Sequence, residues 1–233
     1  MLGHQRLIVA AGVALLATLA WLFVIDGAGL GASMRMAEPP PFAALVLMWW
    51  VMMVAMMLPS AAPAILLYAR VRQMRNGDGG ISQTWVFLAG YAAVWLLFSL
   101  AAAGLQQLVT GGSMALYHPL AEAGVLIATG LYQLSPLKSA CLGQCRAPAQ
   151  FISAHWRPGA AGAVRLGIIH GAYCVGCCWM LMALLFVGGV MNLAWIVVLT
   201  LLVVVEKLTP GGAWIGRAAG VALIAWGVAS VAI

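Results

Sequence analysis

Long apolar runs alternate along the chain with short links rich in Gly, Pro and polar residues. A membrane-crossing helix needs about 20 mostly apolar residues. Runs of that kind fall near 7–25, 42–68, 84–106, 116–134, 166–187, 190–207 and 213–232. The links include VRQMRNGDGG and LSPLKSACLGQCRAPAQ, and no internal repeat or soluble domain interrupts the series. The pattern predicts an all-α, polytopic helical membrane protein. About seven transmembrane helices form one transmembrane domain over residues 1–233. The first run is longer than the roughly 7–15 residues of a signal-peptide core, so it reads as a retained helix. A short interfacial helix is expected around APAQFISAHW.

Composition agrees with this pattern. The chain is 65% hydrophobic and 7% charged, against about 25% charged in a soluble domain, so lipid is the expected solvent for most of its surface. The net charge of +6 carries no nucleic-acid motif or basic-aromatic patch, so a nucleic-acid partner is set aside. The basic residues instead orient the chain. With the N-terminus inside and the C-terminus outside, Arg6, Arg70, Arg72, Arg75, Lys138, Arg146, Arg157, Arg165, Lys207 and Arg217 are all cytoplasmic, and only Arg35 is left outside.

The most concentrated chemistry is HGAYCVGCCWMLM, from His170 to Met182. Helical spacing puts His170, Cys174, Cys177 and Cys178 on one face, because positions three, four and seven apart stack. A single intramembrane Cys is a small buried hydrophobe. Three thiols and an imidazole on one face are a soft donor set, suited to Cu(I) first and Zn second. Polar groups are costly in lipid, which adds weight to His170.

A second candidate is MWWVMMVAMMLPS, from Met48 to Ser60. Met48, Met52 and Met56 form one ladder, and Met53 and Met57 a second, rotated from it. Met is adaptable core filler in most settings. Here Met34 and Met36 precede the run on the outside, where thioethers resist oxidation. The first ladder is expected to face the cysteine face of the fifth span, with Met53 and Met57 as filler. Cys141 and Cys145 lie in the inside link at a helical spacing of four, next to Lys138 and Arg146, which are expected to favour thiolate. Pro59 and Pro63 each remove a helix donor and can mark a broken transporter helix. Glu122 stands alone among acids well inside a run, and Glu206 with Lys207 reads as an anchoring pair.

Four segments, MMVAMMLPSAAP, LYQLSPLKSACLGQCR, HGAYCVGCCWMLM and GGVMNLAW…EK, resemble an uncharacterised bacterial family with a domain of unknown function. Its members carry the description predicted metal-binding integral membrane proteins. The likeness covers roughly residues 40–210. It implies a bacterial inner-membrane protein that binds metal through the Met and Cys segments, and it supplies no reaction. The Met-x-x-x-Met ladder also resembles that of eukaryotic copper importers, in chemistry and not in fold.

The leading expectation is a Cu(I)-binding membrane protein for copper transport or uptake, using Met34, Met36, Met48, Met52, Met56, His170, Cys174, Cys177, Cys178, Cys141 and Cys145. The alternative is a membrane assembly factor or accessory subunit that delivers metal to a cuproenzyme, with a copper chaperone or cuproenzyme complex as partner. A thiol-disulfide redox protein is the second alternative, disfavoured because Cys141 and Cys145 fall in the reducing cytosol and are spaced C-x-x-x-C. An enzymatic role is not favoured, since no P-loop, hydrolase or metalloprotease motif is present.

Overall fold

The computed structural model describes residues 2–33, 41–76, 80–110, 115–116 and 118–232. Met34 and Met36 lie outside the described residues. The described chain is helical: α1 (Leu2–Ser33), α2 (Phe42–Asn76), α3 (Gly80–Thr110), α4 (Pro119–Leu134), α5 (Pro136–Arg146), α6 (Pro148–His155), α7 (Gly159–Ala183), α8 (Leu185–Gly188), α9 (Leu193–Leu208) and α10 (Gly212–Ala232).

Among the described residues, five helical segments are long and apolar enough to cross a membrane: Leu7–Gly27, Phe42–Arg75, Ile81–Leu108, Gly159–Gly188 and Gly212–Val231. The expected spans at 116–134 and 190–207 become α4 and α9, of 16 residues each. At a rise of about 1.5 Å per residue each covers about 24 Å, short of a hydrocarbon core of about 30 Å. Local punctuation sets these limits. Pro119, Pro136 and Pro148 each occupy the first helical turn, where a missing N–H costs nothing. The Ser135 side chain accepts from the Lys138 backbone N–H to cap α5, and Asn192 caps α9 on the Trp195 N–H. Gly189 turns the chain out of α8 at φ 90°, a left-handed angle that favours glycine.

Pro59 and Pro63 do not end α2, which runs unbroken through both. The Ser60 hydroxyl donates to the Met57 carbonyl at 2.9 Å, supplying local side-chain hydrogen bonding beside the prolines. A short helix, α6, forms over the segment APAQFISAHW.

α3 packs along α7 and α2, α2 also along α1 and α9, and α4 along α10. Glycines permit the closest approaches. A Cβ on Gly167 of α7 would collide with the Phe87 carbonyl of α3, and one on Gly90 would meet the Val164 carbonyl. Small residues that let backbones meet are how helices associate where lipid removes the hydrophobic drive. Large apolar side chains such as Leu15, Leu97, Leu201 and Trp214 face outward, while Trp49, Met52, Met53, Met56, Met57, Phe87, Tyr91 and Trp95 fill the interior. That distribution suits a lipid-facing surface.

Candidate metal centre

α7 carries the cysteine face into the interior. His170, Cys174, Cys177 and Cys178 are all buried. Cys174 is the hub. Its Sγ lies 3.1 Å from the Tyr91 hydroxyl and 3.0 Å from the Lys207 ammonium, while its carbonyl accepts from Cys177 Sγ at 3.1 Å and Cys178 Sγ at 2.9 Å. Lys207 also donates to Ser60 Oγ at 3.2 Å, which ties α9 to α2 at the cluster.

α2 contributes its methionines differently from the expected way. Met52 and Met56 are fully buried and Met48 half-buried. The residue that meets the cysteines is Met57, of the ladder read as filler: its Sδ lies 3.7 Å from Cys178 Sγ. Adjacent helix positions point about 100° apart, so Met56 and Met57 cannot both take that place. A metal–thiolate bond of about 2.3 Å, the zinc value, lets one ion bridge such a pair after a small outward shift.

The link between α4 and α7 folds back onto this cluster. α5 packs on α7, with Cys141 Sγ against Gly176 and Cys145 beside Cys177. Both thiols are half-buried. Their expected activation by Lys138 and Arg146 is not found. The contact with Cys177, then burial, hold the Cys145 thiol well above its ordinary range. Burial and Cys177 push Cys141 up. The two cations are engaged elsewhere. Lys138 Nζ pairs with Glu206 Oε2 at 2.6 Å, and Arg146 donates to the carbonyls of Glu206, Thr209 and Pro210 at the C-terminal end of α9. Glu206 and Lys207 are therefore not surface anchors. Glu206 locks α5 to α9, and Lys207 enters the cysteine cluster.

His170 sits one turn before Cys174, its ring among Phe87 (6.0 Å), Tyr91 (5.8 Å) and Phe151 (5.2 Å), and its Nδ1 has no hydrogen-bond partner. All five cysteines are unbridged. Among the described residues, no three His, Cys, Asp or Glu side chains form a ready-made metal-binding group. The thiols of Cys177 and Cys178 turn back onto their own helix, so gathering them on an ion requires rotation about their side-chain bonds.

Tyr91, Ser60, Met57 and Lys207 are the parts of this cluster that sequence reading missed. Only Lys207 left a signal, as a cation at the C-terminal end of an apolar run, where an ionisable residue is a functional candidate by default.

Residues 46–230 match the family model described as PpoB2, copper chaperone. No curated protein and no solved structure matches the chain. With most of its length inside that match, the chain belongs to the PpoB2 copper chaperone family.

Proposed function

We propose that the chain is a copper chaperone embedded in the bacterial inner membrane, which holds Cu(I) at the sulfur cluster and passes it to a partner cuproenzyme or its assembly complex. The observation that carries this reading is the approach of Met57 Sδ to Cys178 Sγ, on a helix face that also presents Cys174 and Cys177. Thiolate and thioether are soft ligands that favour Cu(I). A neutral thioether is the weaker of the two and the natural one to release first. Cys141 and Cys145 on α5 are the receiving or donating thiols next to it. Lys207 balances part of the negative charge that bound thiolates leave in a low-dielectric interior.

A transport reading retains one specific support, the buried Met52 and Met56 on the same helix as Met57. Sealed vesicles containing the full chain separate the two. The expected result is copper that stays with the protein and moves to an added apo thiol acceptor, with no net flux across the bilayer. Flux abolished by Met52→Leu with Met56→Leu establishes transport instead.

The orientation goes with this reading: N-terminus inside, C-terminus outside. A phosphatase reporter fused at Ile233 is expected to be active, since that enzyme folds only outside the cytoplasm. A cytoplasm-only reporter active at the same position reverses the assignment.

A further inference from the structure

The inner end of α2 holds a second polar constellation, away from the sulfur cluster. Arg72 is 1% exposed, and its Nε and Nη2 have no hydrogen-bond partner. One turn earlier on the same face, Tyr68 is equally buried and its hydroxyl is also unpartnered. The Trp156 ring closes over both, 5.6 Å from the Arg72 guanidinium and 5.7 Å from the Tyr68 ring, and Phe87 stacks on Tyr68 at 4.9 Å. Arg75, exposed and 4.9 Å from the same Trp156 ring, lies one turn beyond Arg72 on α2.

Two buried guanidinium nitrogens without acceptors are costly. Among the described residues the ion pair is Lys138–Glu206, and it does not involve Arg72. The two unpartnered nitrogens are also the pair whose N–H bonds run parallel along one edge of the guanidinium, the edge that takes two oxygens of a carboxylate or phosphate side by side. A tyrosine hydroxyl one turn away adds a third donor, and Arg75 adds a positive entrance.

We propose that Arg72, Tyr68 and Arg75, with Trp156 as the cover, form a site for a phosphate-class oxyanion, either the headgroup of an anionic phospholipid or free phosphate. The site is independent of copper. The full chain, purified in detergent and stripped of lipid, is offered phosphatidylglycerol in mixed micelles or inorganic phosphate alone, and retained ligand is read by non-denaturing mass spectrometry. One ligand per chain is expected. Phosphatidylglycerol retained without phosphate identifies a lipid site, and retention of phosphate identifies a free-anion site. Arg72→Gln is expected to weaken retention about tenfold, and Arg72→Lys not to restore it, because a point charge lacks the parallel fork. If Arg72→Gln does not fold, the exposed Arg75→Gln and the hydroxyl-only Tyr68→Phe carry the test, each weakening retention about threefold. No retained ligand, or retention unchanged in these variants, overturns the proposal.

Discussion

Replacing Cys174 and Cys178 together by serine is expected to lower Cu(I) affinity on the order of 10⁴-fold. Structural zinc sites bind with about 10–16 kcal/mol shared over four ligands, so each soft ligand is worth roughly 3 kcal/mol, or about a hundredfold. Cys174 is the hub that Tyr91 and Lys207 address, and Cys178 is the thiol against Met57. Serine preserves volume and removes the soft donor, so the variant should fold. A competition titration against a chromogenic Cu(I) chelator reads the change. Met57→Leu is expected to cost less, roughly tenfold, because a neutral thioether is the weaker ligand, and Met56→Leu little. Equal affinity in wild type and the double serine variant would remove copper from this cluster.

Lys138→Met is the substitution expected to cost most in stability. The Lys138–Glu206 pair is 3% and 2% exposed, and Gln133 Nε2 adds a hydrogen bond to Glu206 Oε1 at 2.8 Å. Removing one partner leaves a buried carboxylate uncompensated, a loss of about 3–5 kcal/mol. Replacing both by apolar residues of similar size, Lys138→Met with Glu206→Leu, should recover most of it, because a buried pair repays little beyond its own desolvation. Unfolding in detergent reads both variants. A single variant as stable as wild type would mean that the pair does not hold α5 to α9. The pair also matters to the sulfur cluster, because α5 carries Cys141 and Cys145 and the next residue after Glu206 is Lys207.

What could be read from the sequence follows physical range. Each long apolar run declares its helix by itself, which is why five of the expected spans return as helices of crossing length. The other two also return as helices, at 16 residues. Proline at the start of α4 and Asn192 capping α9 cut them below the length that hydropathy alone suggested. The cysteine face was legible because its spacing lies within one helix. The methionine partner was not, because one residue of difference is a rotation of about 100°, and the rotation of α2 is set by its packing on α1, α3 and α9. The return of α5 onto α7 and the pairing of Glu206 with Lys138 join segments far apart in the chain, and no local pattern announces either.

The most direct measurement is X-ray absorption at the copper edge of the full chain loaded with one Cu(I). A shell made only of sulfur, at about 2.3 Å, is predicted, losing one sulfur in Met57→Leu and unchanged in Met56→Leu. A shell of nitrogen and oxygen, or one indifferent to Met57, would contradict copper held between α2 and α7.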